Sequence, residues 1–358
     1  MALTQIKQSN IDSGFSPSYR NMVINGAMQI NQRGNSTGQT GSDYQMDRFK
    51  FGIGSLGTWS SSQSTVAPDG FGNSWKMNCT TANASPSASA TLYLYTRLEG
   101  QTLQQIKKGT ANAQPLTLSF WCRCNKTGNF QANLRDYDNT RQVGATVTIN
   151  SANTWEYKTI TFPADTTGVL DNDNAWSLSV EFWLDSGSDF KGGAVPTAWE
   201  AAVNTDRAAG TTLALGDSTS NEFYLTGVQL EVGEAATSFE HRPYGMELAL
   251  CQRYYQKYTG NTTSYPLFGV GQAYSSNQVM GVSKGLTTTM RAYPTASLTG
   301  TWYARRYDAS SDVLNNPTIA VSTNFVSING ERNNSGLTAG HACTVWSESG
   351  SLILSAEL

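Results

Sequence analysis

From Asn21 onward the chain is cut into short apolar runs, each of strand length and each bounded by Gly, Asn, Ser or Asp clusters. Alternation within a run sends one set of side chains to a core face and the other set to the opposite face. The predicted strands are residues 22–25, 46–52, 58–65, 74–78, 91–99, 116–123, 131–136, 142–149, 156–162, 176–185 and 222–231. Strands at this spacing, without long helical patterns between them, point to a sandwich or barrel rather than a βαβ fold. LEGQTLQQIKKG is expected to be a short helix with Leu98, Leu103 and Ile106 turned inward. The loop of residues 186–216 is long for a compact domain, and such loops are functional or disordered. Pro196 and Trp199 imply that part of it is packed down.

Residues 221–257, NEFYLTGVQLEVGEAATSFEHRPYGMELALCQRYYQK, join two regions of this kind. Phe223, Leu225, Val228, Leu230 and Val232 follow a strand pattern with one slip at Gly227, where a bulge is expected. GEAATSFEHRPYG has the Gly and Pro of a connector. Met246, Leu248, Leu250, Tyr254 and Tyr255, around Glu247 and Arg253, then predict a short amphipathic helix. The stretch is the closing strand of one β domain and the junction to a second.

Charge narrows the partners. Only 14% of the 358 residues are charged, against roughly 25% in ordinary soluble proteins. Net charge is −3 and no long basic run occurs, which disfavours nucleic acid and anionic membranes as partners. MALTQIKQSNIDSG lacks the apolar region of a signal peptide, and no apolar run is long enough to span a bilayer. A soluble protein made in a cytoplasm, with no membrane insertion, is the expectation. The cysteines, Cys79, Cys122, Cys124, Cys251 and Cys343, are odd in number and widely scattered, which argues against a disulfide framework. Cys122 and Cys124 share one face of a strand, and buried reduced thiols are expected in preference to a metal site.

Four constellations carry candidate chemistry. Gly52, Gly54 and Gly57 in FGIGSLG match GxGxxG, but strand-like TWSSSQSTV follows where a dinucleotide site needs a helix, so a hairpin turn is expected. Asp171 and Asp173 in DNDNAW are oxygen-rich enough to be weighed as a structural calcium site, the alternative being a polar turn. No other metal or cofactor is expected. Among the aromatic residues, Trp121 and Trp183 lie inside apolar strands and are expected in the core, and Trp155 is read as structural. Trp59, Tyr137, Trp176 and Trp199 sit nearer loops and are the candidates for stacking on sugar rings, with core or subunit contact as the alternative. Glu181 and Asp185 share a strand face, as a glycosidase pair would. There is no GxSxG elbow, and His241 and His341 are the only histidines, so no enzyme is expected.

Several blocks resemble one module in the same order: NMVINGAMQINQRG, YQMDRFKF, DGFGNSWKMNCTTA, LEGQTLQQIKKGTANAQPLTLSFWCRCNKTGNFQANLRD, NTWEYKTITFPADTTG and DSTSNEFYLTGVQLEVGEAATSFEHRPYGMELALCQRYYQK. The module is common in phage virion proteins, many from marine phages. It is related to carbohydrate-binding jelly rolls and recurs in tail-fibre-like proteins. The likeness covers residues 21–257. It implies an all-β fold: an antiparallel jelly-roll sandwich over 21–243, then a short helix and a second, smaller β domain over 244–358, the distal tip. Residues 1–20 are polar and without clear periodicity, which reads equally as a disordered tail or as an anchor that orders on a partner. MALTQIKQSNI resembles virion attachment peptides, which implies that this segment binds other virion proteins through Leu3, Ile6 and Ile11. The family implies a homotrimer, to whose axis the helix at Met246 to Lys257 would contribute. It also implies exposure on the mature particle and a non-enzymatic adhesin that contacts host surface polysaccharide. The alternative is a purely structural virion component, a fibre, capsid decoration or tail assembly protein that binds no glycan.

Overall fold

The computed structural model describes residues 19–260, 267–305, 311–332, 336–347 and 349–358. Leu3, Ile6 and Ile11 lie outside the described residues. The chain separates into two compact units, one running to Glu247 and including Leu358, the other Leu248–Glu357.

The first unit contains strands β1 (Ser36–Gln39), β2 (Asp43–Met46), β3 (Phe49–Gly54), β4 (Thr58–Ser64), β5 (Ser74–Thr81), β6 (Thr91–Glu99) and β7 (Leu116–Cys124). It continues with β8 (Gly128–Asp136), β9 (Arg141–Ile149), β10 (Glu156–Phe162), β11 (Trp176–Ser186), β12 (Glu200–Ala201) and β13 (Glu222–Val232). They form two antiparallel sheets. The first is six-stranded in the order β1-β4-β5-β13-β7-β10, and the second is seven-stranded in the order β12-β9-β8-β11-β6-β3-β2. Consecutive strands repeatedly change sheet, which is jelly-roll connectivity. The fold is all-β.

Alternation explains the layers. In β6, Leu92, Leu94 and Leu98 face the core, so Tyr93, Tyr95 and Arg97 face the other way. In β11, Leu178, Val180, Phe182 and Leu184 point inward and leave Glu181, Trp183 and Asp185 on the outer face. Phe49, Phe51, Trp59, Trp75, Phe120, Phe130, Phe182 and Phe223 fill the space between the sheets. Each such side chain contributes about 1.5–3 kcal/mol relative to exposure. All five cysteines are buried and unpaired in disulfides. Burial pushes the Cys124 thiol up to about 11, with hydrogen bonds and the charge of Lys126 opposing it.

Some expectations are altered by contacts that periodicity does not encode. Residues 22–25 are not a strand. Asn21 instead brackets β13, its Nδ2 donating to Val228 O at 3.1 Å and its Oδ1 accepting from Leu230 N at 3.1 Å. Asn25, at φ 60°, accepts from Ile30 N and donates to the Ile30 and Asp47 carbonyls. The turn after β3 is no hairpin, because β3 lies in the second sheet and β4 pairs with β1 and β5 in the first. LEGQTLQQIKKG forms two 3-10 turns, Gly100–Thr102 and Gln104–Ile106, with Leu98, Leu103 and Ile106 buried as expected. The β13 register does shift between Thr226 and Gln229, with Gly227 at φ 63°. A Cβ there would also stand 2.8 Å from the Phe71 ring and 3.0 Å from Trp121.

Helix α1 (Tyr244–Gln252) follows the connector and ends before Tyr254. The aromatic, β-favouring run after it forms β14 (Tyr255–Thr259), paired with the last strand of the chain, where a continued helix was expected. The second unit then has β15 (Leu267–Ala273), β16 (Gln278–Gly285), β17 (Thr295–Thr299), β18 (Trp302–Arg305), β19 (Ser311–Val321), β20 (Phe325–Arg332), β21 (Ala342–Ser347) and β22 (Ser351–Ser355). β15-β16-β20-β19-β18-β21 close into a barrel, and β14-β22-β17 form a separate three-stranded sheet. Val279, Val282, Ala304, Val326, Ile328 and Val345 pack its interior. Among the described residues, no helix is long and apolar enough to cross a membrane.

Candidate functional site

The outer face of the second sheet gathers aromatic and charged side chains from five neighbouring strands, β8, β11, β6, β3 and β2. Register sets three rows. Arg135, Ser179 and Arg97 are cross-strand partners in the first. Asn133, Glu181, Tyr95, Lys50 and Tyr44 form the second. Gln131, Trp183, Tyr93 and Gly52 form the third. Tyr93 stacks on Trp183 with ring centroids 4.3 Å apart and 4° between planes, and on Tyr95 at 5.0 Å. Gly52 is required for this: a Cβ there would lie 2.4 Å from the Tyr93 ring.

Glu181 is the polar centre of the face. Its Oε1 accepts from Ser179 Oγ at 3.0 Å and Tyr137 Oη at 3.1 Å, and its Oε2 from Trp183 Nε1 at 2.8 Å and Arg207 Nη2 at 2.9 Å. Burial alone would raise this carboxyl. The Arg207 charge and the Trp183 and Arg207 hydrogen bonds outweigh it and hold Glu181 below the usual carboxylate range. Burial, reinforced by the Glu181 charge, raises the phenols of Tyr93 and Tyr137, so both keep their protons at neutral pH.

The loop between β11 and β13 folds over one half of this face. Asn133 Nδ2 donates to Arg207 O and Gln131 Nε2 to Asp206 O, while Gly210 N donates to Gln131 Oε1. The Arg207 guanidinium lies 4.5 Å from the Trp183 ring centroid, and Phe190 covers the same indole. Trp183 is therefore wholly buried, as expected, but beneath a loop on the outer face and not between the sheets. The other half stays open, with Lys50, Tyr93, Arg97, Arg135, Tyr137 and Trp176 half-buried.

The four proposed stacking residues separate. Tyr137 and Trp176 meet on the open half, with ring centroids 3.5 Å apart. Arg97 lies over Trp176 and Arg135 over Tyr137. Trp199 is elsewhere: its Nε1 donates to Pro163 O and Lys108 Nζ sits over its ring at 4.9 Å. Trp59 is fully buried in the core against Phe51, with Nε1 bonded to Leu56 O, so it presents no face to a ligand. Sequence reasoning left out Arg97, Arg135 and Arg207, and it weighed Tyr93 within the aromatic set without choosing it. The inward leucines of β6 were the available signal for Tyr93 and Arg97, since their alternates must lie on the opposite face. Trp121, expected in the core, is half-buried on the outer face of the first sheet beside Tyr157.

Asp171 and Asp173 lie in a hydrogen-bonded turn, where Asp171 N donates to Asp138 Oδ2 at 2.9 Å. Asp173 Oδ1 accepts from Ala175 N within its own turn, and among the described residues no three His, Cys, Asp or Glu side chains are gathered as a metal site. Glu181 and Asp185 do share one face. Asp185, however, accepts from Lys191 Nζ, Ser186 N and Gly216 N. Glu181, engaged by four donors, is held below the range that a general acid needs.

No protein-family model matches the sequence, and no curated protein matches it. Among solved structures, the enzymatically active domain of tailspike protein 4 of bacteriophage CBA120 is 14% identical, over 60% of this chain and 22% of that one, with a TM-score of 0.30. TmCBM61, solved with beta-1,4-galactotriose, is 9% identical over 60% of this chain and 99% of its own, with a TM-score of 0.29. The family 11 carbohydrate-binding module of the Clostridium thermocellum cellulase Lic26A-Cel5E is 11% identical over 62% of this chain and 100% of its own, with a TM-score of 0.28. At such identities and TM-scores the fold assignment rests on the strand order itself.

Proposed function

We propose that this chain is a non-catalytic adhesin of a phage virion appendage, binding host surface polysaccharide on the outer face of its second sheet. The observation that carries the reading is the Tyr137 and Trp176 pair on the open half, beside the Arg97 and Arg135 donors of β6 and β8. Sugar rings have apolar C–H faces that lie on aromatic rings, and their hydroxyls bond neighbouring polar groups. A largely pre-formed aromatic surface with a few placed polar groups is the usual build of such a site. The engaged state of Glu181 and Asp185 supports binding without hydrolysis. Virion location and a homotrimer come from the sequence resemblance. Sedimentation equilibrium tests the trimer, and a stable monomer would remove it.

The test is affinity electrophoresis of the folded protein against a panel of bacterial surface polysaccharides. Trp176→Ala and Tyr137→Ala should each weaken binding about tenfold, a loss of about 1.4 kcal/mol that only a minority of interface residues carry. Tyr157→Ala, on the outer face of the first sheet, should leave it unchanged. A folded protein that binds no polysaccharide would instead favour the structural virion component.

A further inference from the structure

We propose that the glycan taken by this face is anionic, a polymer bearing carboxylate or sulfate groups. The inference rests on the reading that the open half of the second sheet is the glycan site, and it adds the ligand's charge. Glu181 is paired with Arg207 at 2.9 Å and Asp185 with Lys191 at 3.1 Å. Arg135 stands in the first row between Ser179 and Gln142, and Glu200 beyond it is held by Gln142 Nε2 at 3.1 Å. Among the described residues no hydrogen bond or ion pair holds the Arg135 guanidinium. Its contact is the Tyr137 ring at 4.9 Å, and its buried Nε has no acceptor.

The hydrogen-bonding inventory points the same way. Arg97 Nε and Trp176 Nε1 are also buried donors without an acceptor. Acceptors are scarce, because the Glu181 oxygens already take four donors. A neutral sugar hydroxyl both donates and accepts, so it leaves its proton unmatched on a surface of donors. Carboxylate and sulfate only accept, and a guanidinium meets them with paired, charge-assisted bonds. Arg97 Nη1 and the Tyr44 hydroxyl both donate to the main-chain oxygen of Leu358, which belongs to the same unit.

The experiment uses two matched pairs of polymers: polygalacturonate with its carboxyl-reduced form, and dextran sulfate with dextran. Affinity electrophoresis of the full chain should show at least one anionic member bound about tenfold more tightly than its neutral partner. That preference should shrink as sodium chloride rises from tens to hundreds of millimolar. Arg135→Gln should remove most of it, Arg135→Lys should retain part, and Lys76→Gln on the other sheet should retain all; thermal melts confirm folding. Preference within the uronate pair or the sulfate pair identifies which group is read. Equal binding of both members, abolished by Trp176→Ala, overturns the anionic ligand while leaving the glycan site standing. A preference that survives Arg135→Gln and Arg97→Gln overturns it too. Binding of no polymer overturns both.

Discussion

Replacing Lys108 by Met should destabilise the first unit by about 3–5 kcal/mol, the usual cost of removing one partner from a buried ion pair. The lysine side chain is 3% exposed, and its Nζ lies 2.6 Å from Asp136 Oδ2 and 2.9 Å from Asp165 Oδ2, with those two side chains 0% and 5% exposed. The Thr167 and Gly168 carbonyls complete the shell at 3.0 Å each. Methionine keeps the volume of the stem and removes the charge. Arg141 still holds Asp165 through Nε at 2.8 Å, but Asp136 keeps only the Asn139 backbone and amide donors. One stranded carboxylate can escape by taking a proton, which at pH 7 costs about 4 kcal/mol for an ordinary carboxyl, so the loss has a ceiling of that order.

Urea melts read the effect directly, and thermal melts should show a fall of about 10 °C for a unit of this size. Lys107→Met, at the exposed neighbouring lysine, should change stability by no more than about 0.5 kcal/mol. Acid gives an independent check. Burial would raise Asp165, but the Arg141 and Lys108 bonds outweigh it and lower its pKa. Its contribution is therefore present above the unfolded carboxylate value near 4 and lost as pH falls through the lower folded value. The gap between wild type and Lys108→Met should narrow from pH 7 toward pH 3. A loss below about 1 kcal/mol at pH 7, or a gap that widens in acid, would refute the account of Lys108 as the cation holding these loops.

Two further outcomes bear on the site. Gly52→Val should push the Tyr93 ring off β3 and weaken glycan binding more than it lowers the melting temperature, whereas unchanged binding would mean that Tyr93 does not contribute. Because Glu181 is held below its ordinary range, its pairing with Arg207 stabilises the covering loop above about pH 4.3 and is lost as pH falls through the folded value. Hydrogen exchange of residues 206–211 should accelerate below that point, before the core strands exchange, and simultaneous exchange would contradict it.

Much of the sandwich was legible because β6 and β10 carry strict alternation, and their predicted limits, 91–99 and 156–162, coincide with the strands. What alternation cannot say is what lies over each face. Trp59 shares its face of β4 with Ser61 and Gln63, so polarity gave no hint that this face meets the core. Trp183 lies among apolar neighbours, yet a loop more than ten residues away in sequence buries it through Arg207. Sheet membership is equally non-local, and the FGIGSLG turn was read as a hairpin because the pairing of β4 with β1 and β5 depends on distant strands. Half the site was within reach through Tyr137 and Trp176. The rest required knowing that β3, β6, β8 and β11 lie side by side.

The most direct measurement is hydrogen–deuterium exchange of the full chain with and without a bound acidic oligosaccharide. Ligand should protect β6 and residues 135–137 and 176–183, and leave β7 and β10 unchanged. Protection confined to the first sheet, around Trp121 and Tyr157, would place the ligand on the wrong face and contradict the assignment.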